Sequence, residues 1–238
     1  LRGFLPCATA PAAPCNTATG LANVGVAPSV ASTLALFPAA TTLTGGGVGT
    51  YAAVANLITH EDYFLNRVDY NFSNRDSVFV RWVRDTASFT TPFSGSPLPL
   101  YLEKDSTANT FFTMEEKRIF SSNVVNLARF SFLRPKETSA TVSPSLAPLR
   151  FFPGRDDGRV NVTGISPIGP FMLVPYKLIA NHFVFADDVI WTRGPHGMKF
   201  GMSADRVQDN TSSPQAYGGT FAFQSLLNFL QGTANTLA

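Results

Sequence analysis

Charged residues are scarce in this chain of 238 residues, at 14% of the total, and the formal net charge is only +2. A nearly neutral chain without a run of Lys and Arg does not offer the basic surface that nucleic acid requires. Long apolar segments are missing too. The nearest, residues 21–40, is broken by Asn23, Pro28, Ser29 and Pro38, so no transmembrane helix is predicted.

Residues that carry catalysis or bind metals are few and far apart. His60, His182 and His196 lie in separate polar or turn-like segments. The acidic segment at residues 155–158 is turn-forming but lacks the spaced ligands of a calcium loop. No nucleophile elbow and no paired-histidine zinc helix occurs in the sequence. We therefore predict no enzyme activity, no cofactor and no metal site.

Only two cysteines are present, Cys7 and Cys15, eight positions apart in a Pro- and Ala-rich segment. Oxidising compartments favour disulfides, so in an exported protein this pair predicts a small loop disulfide. Two free thiols are the alternative. A metal site of these two residues would need further ligands nearby, and none are there.

Three pairs of strand-like segments are each joined by a very short polar turn. The pairs are residues 62–72 with 77–85, residues 110–120 with 125–134, and residues 182–192 with 198–208. Long irregular connections, at residues 86–109 and 135–181, separate one pair from the next. Short turns on one side, long loops on the other and strands of about 9–11 residues are typical of antiparallel barrels in an outer membrane.

Side chains alternate along these segments with a period of two, which predicts a sheet with one apolar and one polar face. The clearest case is the last segment, where Met198, Phe200, Met202 and Ala204 alternate with Lys199, Gly201, Ser203 and Asp205. Two segments fit less well. Residues 115–118 are all charged, and Asp187 interrupts an otherwise apolar face. These charges indicate either a strand end at headgroup level or a face that is not lipid-exposed there.

Aromatic residues precede each of the three short turns, and they predict an interfacial girdle of the kind seen in outer-membrane barrels. These residues are Tyr70, Phe72, Phe120 and Trp191. The alternative is that aromatic residues are simply common in strands. The polar face is expected to hydrate the barrel interior or to form ion pairs between neighbouring strands, and the alternative is that it contacts a plug or lines a solute path. Its charged members are Arg67, Asp69, Arg81, Arg129, Lys199 and Asp205. No ligand-binding residue is assigned.

The fold class predicted is all-β, an antiparallel meander of long hairpins that forms part of an incomplete transmembrane β-barrel with long irregular loops. Residues 1–60 are predicted to be a connecting segment with a short helix near residues 28–37, and residues 61–238 a partial barrel domain of about six to seven strands. The seventh strand would begin at residues 220–223, before a helical turn at 225–230. The chain begins with Leu1 and ends in a polar stretch, so we expect a fragment of a longer protein.

Three segments, residues 61–77, 185–201 and 219–232, resemble barrel hairpins of TonB-dependent receptors of the Oar-like type. The likeness covers about residues 20–238. It implies a barrel of about 22 strands filled by a globular plug, and ligand uptake energised by the TonB complex of the inner membrane. It also implies outer-membrane lipid as a partner and an outer-membrane location in a Gram-negative-type bacterium. The transported ligand is not identified.

The predicted function is therefore energised ligand uptake through an outer-membrane receptor. A secreted β-sandwich or adhesin-like binding module is one alternative, and it would bury the apolar faces against a second sheet. A passive porin is another, distinguished by the lack of a plug domain in the full protein.

Overall fold

A computed structural model of the protein describes residues 2–45, 48–98 and 100–237. The first part of the chain forms short elements: β1 (Phe4–Pro6), a 3-10 turn (Cys7–Thr9), β2 (Cys15–Asn16), β3 (Leu21–Asn23), helix α1 (Pro28–Ala35), β4 (Thr42–Gly45) and β5 (Val48–Thr50). Long strands follow: β6 (Ile58–Ser73), β7 (Asp76–Thr91), β8 (Glu103–Ser121) and β9 (Val124–Arg134), continued by β10 (Lys136–Thr141). The rest comprises a 3-10 turn (Ala147–Leu149), β11 (Arg159–Val162), β12 (Tyr176–Arg193), β13 (His196–Ser212), β14 (Thr220–Phe223), helix α2 (Leu226–Leu230) and β15 (Thr236–Leu237).

The long strands form one antiparallel sheet in the order β6, β7, β8, β9, β12, β13. Strand β10 extends β9 beyond Pro135, and it pairs with β8 on one side and β12 on the other. Proline has no N–H to donate to the ladder, which explains the break between the two strands. The Pro135 carbonyl still accepts a bond from the Ala180 N–H at 3.1 Å. The meander of long hairpins predicted from the sequence is confirmed.

Three two-residue connections join β6 to β7, β8 to β9 and β12 to β13 at one end of the sheet. In the first two, the hydroxyl of Ser73 or Ser121 accepts the N–H two residues later, at 3.1 and 3.2 Å. This is the local bond by which serine favours turns. The third connection uses Gly194, whose φ of 58° suits it to a tight hairpin.

The strands are longer than the alternation predicted. The connection expected over residues 86–109 is confined to residues 92–102, because β7 reaches Thr91 and β8 begins at Glu103. The added residues are rich in Ser and Thr, and Phe89 is the one large apolar residue among them. Thr favours the extended conformation, but without an apolar face these strand ends give no period-two signal.

The prediction that residues 220–223 begin a seventh barrel strand is wrong. β14 does not join the large sheet; it pairs in parallel with β11 and antiparallel with β15. The sheet of long strands is therefore open, with β6 and β13 each paired on one side only within the residues the structure describes. The segment before β6 contains short strands, where the sequence predicted none beside the helix. The division of the chain at residue 60 stays a prediction.

The buried core of the molecule lies outside the long strands. It forms at the end of the sheet opposite the two-residue turns, where four segments meet: the described residues of 2–57, 92–102, 142–175 and 213–237. We call this assembly the cap. Its buried apolar residues are Leu5, Ala10, Ala22, Val30, Leu98, Tyr101, Leu149, Val160, Val162, Ile168, Phe223, Phe229 and Leu230. Packing between segments so distant in sequence holds the long loops together.

Helix α1 belongs to the cap and begins at Pro28, which suits the first turn of a helix because its missing N–H needs no partner there. The Ala27 N–H donates to the carbonyl of Leu230 at 2.7 Å, so the start of α1 is tied to the end of α2. At the other end, the Arg2 guanidinium donates to the carbonyls of Leu34 and Phe37 at 2.9 and 2.7 Å.

Among the described residues, no helix combines the length and the apolar character needed to cross a bilayer.

Candidate functional site

One face of the large sheet carries a continuous apolar band, which we call the apolar face. Cross-strand pairing places Trp82 beside Phe112, Phe112 beside Phe132, and Phe132 beside Phe183. Four pairs of rings contact along this row and the next. Their centroids are 5.6 Å apart for Phe64 and Trp82, 6.1 Å for Phe112 and Phe130, 4.9 Å for Phe130 and Phe185, and 5.0 Å for Phe132 and Phe183. Such pairs add to the stability of a sheet beyond the area they bury.

Side chains are exposed on the apolar face, and on the opposite face exposure varies from residue to residue. Trp82 is 40% exposed and Met202 is 73% exposed on the apolar face, while Val83, the neighbour of Trp82 on the other face, is 7% exposed. A contiguous apolar surface of this size is unfavourable in water. In a bilayer the same surface meets hydrocarbon, as the outward band of a barrel does.

Within the apolar band two carboxylates lie in one cross-strand row toward the two-residue turns, and Arg206 lies beside Phe183 in the row of Trp82. Glu116 and Asp187 pair with the same residue, Ala128, from its two sides. The Asp187 carboxylate accepts a hydrogen bond from the amide of Asn126. The interruption noted in the sequence at Asp187 is therefore matched by a polar partner on the neighbouring strand, two rows before the turn end of the apolar face.

The predicted girdle residues lie at the end of the sheet with the two-residue turns. Tyr70 and Trp191 are on the apolar face, since they pair with Val78 and Met198. The rings of Tyr70 and Phe72 contact at 4.9 Å. The Arg193 guanidinium lies 5.9 Å from the Trp191 ring. An amphipathic ring beside a cation suits the boundary between hydrocarbon and headgroups.

The other face, here called the polar face, carries an ion network that spans four strands. The Arg129 guanidinium on β9 lies 2.5 Å from the Glu115 carboxylate on β8 and 3.4 Å from Asp188 on β12. The Lys199 ammonium on β13 lies 3.2 Å from the same Asp188. The charges alternate from strand to strand, so each neighbour attracts the next. Pairs this accessible contribute a few tenths to about 1 kcal/mol each.

The other charged residues predicted for this face are arranged more locally. The Arg67 guanidinium bonds Asp69 on its own strand at 2.7 Å and stacks on the ring of Phe79 at 4.1 Å. Asp205 lies 3.6 Å from the imidazole of His182. Arg81 has no ion pair among the described residues. The structure therefore joins Arg129 and Lys199 in one network and leaves the other four outside it.

Sequence reasoning missed the carboxylate at the centre of that network. Asp187 was noted as an interruption of the apolar face, while its neighbour Asp188 was not singled out. Successive residues of a strand point to opposite faces, so one of two adjacent acids had to lie on the polar face. That alternation was a signal from which Asp188 could have been found.

In the cap, Cys7 and Cys15 form a disulfide, with their Cα atoms 5.4 Å apart. The bond closes the segment between β1 and β2, both of which neighbour β3 in a small sheet. Within that sheet Leu5 is 2% exposed and pairs with Ala22, which is fully buried. A covalent loop in a small element with so little core restricts its unfolded conformations.

Asp157 is the main buried polar anchor of the cap. Its carboxylate accepts hydrogen bonds from the Tyr101 hydroxyl at 2.9 Å, the Leu146 N–H at 2.5 Å and the Ser145 hydroxyl. The side chain thus fastens the β7–β8 connection to the long loop before β12. The sequence had indicated only a plain turn at residues 155–158. Burial, and to a lesser degree the charge of Asp157, raises the pKa of Tyr101 well above its usual range.

An open, mostly apolar groove of about 600 Å³ lies within the cap, between its N-terminal segment and its other loops. Its walls include Phe4, Leu34, Phe37, Leu43, Tyr51 and Leu226. Leu43 is 83% exposed and Tyr51 is 41% exposed. Grooves of this size and character are where proteins bind small molecules.

The three histidines do not come together, and the described residues contain no cluster of three His, Cys, Asp or Glu able to hold a metal ion. His60 lies at the cap end of β6, His182 in the cap half of β12, and His196 at a two-residue turn. Each therefore occupies a different part of the sheet.

An antiparallel sheet with an exposed apolar face, a charged opposite face, two-residue turns at one end and long loops at the other is the architecture of an outer-membrane barrel. The family model described as outer membrane beta barrel domain matches residues 6–238. The chain belongs to this family, and it is a protein of the outer membrane of Gram-negative bacteria. Comparisons with curated proteins and with solved structures gave no match.

Proposed function

We propose that this chain is part of the barrel of a TonB-dependent receptor of the Oar-like type, which captures a ligand at the cell surface and imports it without a chemical step. The observation that carries the proposal is the combination of an outer-membrane sheet with a folded cap at its long-loop end. Long loops are the extracellular loops of such barrels. A cap with its own core and groove provides a surface for ligand capture outside the cell.

The length of the strands supports membership of a large barrel. β8 contains 19 residues and β12 contains 18, whereas a bilayer is crossed by about 9–11 residues of a tilted strand. The surplus lies at the cap end, so the strands project well beyond the hydrocarbon. The smallest barrels close with eight strands, and we propose that further strands pair with the free edges of β6 and β13.

The proposed plug domain would contact the polar face. Part of the ion network remains accessible there: the Lys199 side chain is 59% exposed and Arg129 is 41% exposed. Ion pairs between neighbouring strands of such a face can be replaced by ion pairs with a second domain at little net cost in free energy. The TonB complex is proposed as the energy source on the strength of the hairpin resemblance at residues 61–77, 185–201 and 219–232.

Energised uptake is tested in cells that carry the full gene, with a deletion strain as reference. Uptake of labelled cobalamin, ferric chelates, oligosaccharides and peptides is measured with and without a protonophore. We expect one of these probes to enter only in cells that have the gene, and the protonophore to abolish that entry while leaving surface binding intact.

A passive porin is the competing function, and it gives different results. Its uptake would persist after the protonophore is added, and the purified full-length protein would conduct ions steadily in a planar bilayer. Sequencing the coding region on both sides of this chain provides a second test. A plug domain upstream is expected for the receptor, and its absence there would overturn the proposal.

A further inference from the structure

Near the cap, charged residues of the long strands separate by sign between the two faces. In the strand segments beyond the aromatic row of Trp82, the apolar face carries five cations: Arg84, Lys104, Arg134, Lys136 and Lys177. We call these residues the basic belt. The polar face at the same level carries acids: Glu61, Asp85, Glu103, Asp105, Glu137 and Asp209. Asp62, on β6, is the acid that shares a face with the belt.

The belt begins one row beyond the aromatic rings. Arg84 pairs with Thr110, Thr110 with Arg134, and a row of side-chain hydrogen bonds follows the same line. The Arg84 guanidinium donates to the Thr110 hydroxyl at 2.7 Å, and the Arg134 guanidinium donates to the side-chain oxygen Oδ1 of Asn181 at 2.6 Å. Polar groups so close to the edge of an apolar band lie at the level of the lipid headgroups.

Three cations of the belt are close neighbours. Arg134 and Lys136 are two residues apart on one face, a spacing of about 7 Å. Lys136 pairs with Ile179, which places Lys177 on the diagonal of the adjacent strand, about 7–8 Å away. All three side chains are exposed, and none of the ion pairs formed by the described residues includes a member of the belt.

No acid on the same face lies beside these three cations, because Asp62 is on the distant strand β6 and the nearby acids of β8, β10 and β13 point to the opposite face. Asp209 is an example: it pairs with Ala180, on the polar side of β12. Lys and Arg can lie along an apolar surface with their charged ends in the headgroup layer. The uncompensated cations thus face the position where anionic headgroups of the extracellular leaflet would be.

We propose that the basic belt binds the phosphate groups of anionic lipids in the outer leaflet of the outer membrane, and so fixes the depth of the sheet in the bilayer. Phosphate matches both the forked donors of arginine and the point charge of lysine. The proposal rests on the outer-membrane location and the orientation of the sheet. It does not depend on energised import, so either can fail without the other.

The test compares the full chain with the triple variant Lys104→Gln, Lys136→Gln and Lys177→Gln, in neutral detergent micelles. Binding of bis-phosphorylated lipid A is measured by native mass spectrometry across a concentration series. A cation at an anionic membrane surface contributes roughly fivefold in affinity at low salt. We therefore expect the apparent Kd of the triple variant to rise between about tenfold and a hundredfold.

The matched control removes the same charge from the polar face and a two-residue turn, by Arg75→Gln, Arg81→Gln and Lys117→Gln. It should change the Kd by less than about twofold. Dephosphorylated lipid A should bind the unmodified chain as weakly as phosphorylated lipid A binds the belt variant. Far-UV circular dichroism checks that both variants keep the strand content of the unmodified chain.

Three outcomes would overturn the proposal. One is an equal loss of binding in the belt and control variants, which would mean that only net charge matters. Another is equal binding of lipid A with and without its phosphates. The third is full competition by inorganic phosphate at the lipid A concentration, which would identify a site for the free ion and not for a lipid headgroup.

Discussion

Tyr101 and Asp157 show how single side chains join segments of the cap that are far apart in sequence. Tyr101 is 2% exposed and Asp157 is 6% exposed, and a buried carboxylate is tolerated only when hydrogen bonds replace its hydration. Three donors do so here, from Tyr101, Ser145 and Leu146. Since Leu146 belongs to the loop before β12, this contact orders a connection that would otherwise be free to move.

The raised pKa of Tyr101 gives a stability prediction with a definite sign. The folded cap holds the phenol proton more tightly than the unfolded chain, where a tyrosine titrates near about 10. The contribution of this residue is therefore complete below that pH and declines as the pH rises above it. We expect a spectrophotometric titration at 295 nm to show a late, high-pH step of tyrosinate formation, and Tyr101→Phe to remove it.

Tyr51→Phe is the control for this titration, because Tyr51 is 41% exposed on the groove of the cap. The late step should survive that substitution. In a denaturing concentration of guanidinium, the unmodified chain should lose the late step, since Tyr101 no longer has its buried setting. A late step that persists in Tyr101→Phe would show that this phenol is not the group responsible.

The sequence could not reveal the role of Asp157. Residues 155–158 read as a turn, and that interpretation used only neighbours along the chain. The partners of Asp157 include Tyr101, which is 56 positions away. Burial of a polar residue depends on which distant segments cover it. By contrast, the Cys7–Cys15 disulfide is local, so composition and spacing were enough to predict it.

At the scale of the strand, the alternation of side chains decides which surface meets hydrocarbon. Phe130 and Ser131 are adjacent on β9 and face opposite sides. Phe130 lies between Met114 and Phe185 on the apolar face, and its ring contacts those of Phe112 and Phe185. Ser131 pairs with Thr113 on the polar face. The two residues form a matched pair of positions for testing the assignment of the faces.

We predict that Phe130→Arg destabilises the protein strongly while Ser131→Arg does not. An arginine on the lipid side near the middle of the bilayer costs about 2–4 kcal/mol, and the lost ring contacts add about 1 kcal/mol. On the polar face, an arginine remains hydrated and should cost less than about 1 kcal/mol. The costs of the two substitutions are measured as changes in the free energy of unfolding, by guanidinium titration of the protein in phosphatidylcholine vesicles.

Equal costs at the two positions would contradict the assignment, and a larger cost for Ser131→Arg would reverse it. Phe130→Leu controls for the loss of the ring alone. It should cost about 1 kcal/mol, since a leucine is as compatible with hydrocarbon as the phenylalanine that it replaces.

Periodicity predicted the strands correctly where one face is apolar and failed where both faces are polar. The two-residue turns were found because Ser-Asn and Gly-Pro sequences punctuate the alternation. The cap ends of β7 and β8 were assigned to a loop, since neither face of these segments is consistently apolar: Thr86, Ser88 and Thr90 lie on one face and Glu103, Asp105 and Thr107 on the other. Hydrogen bonds to neighbouring strands stabilise these strand ends. The side-chain pattern of a single strand does not predict such pairing.

At the scale of the whole molecule, the sheet and the cap follow one another along the strand direction, and different interactions stabilise each of them. The sheet is stabilised by contacts between neighbouring strands and by the medium around its apolar face. The cap has an interior of its own, with Leu149, Ile168 and Phe229 fully buried. The small sheet of β11, β14 and β15 belongs to this second part. Its parallel pairing joins residues about 60 positions apart, a contact that local patterns do not specify.

The direction of the strands across the membrane is the last prediction. Barrels of this class place short turns in the periplasm and long loops outside the cell, so the turn at Asn74 and the loop at Ser213 should lie on opposite sides. Both residues are exposed, and the native cysteines are joined in a disulfide. We expect a membrane-impermeant maleimide to label Ser213→Cys on intact cells, and Asn74→Cys only after the outer membrane is permeabilised. Reversed labelling would place the basic belt in the inner leaflet and the cap in the periplasm, and would remove the basis of both ligand capture and lipid A binding.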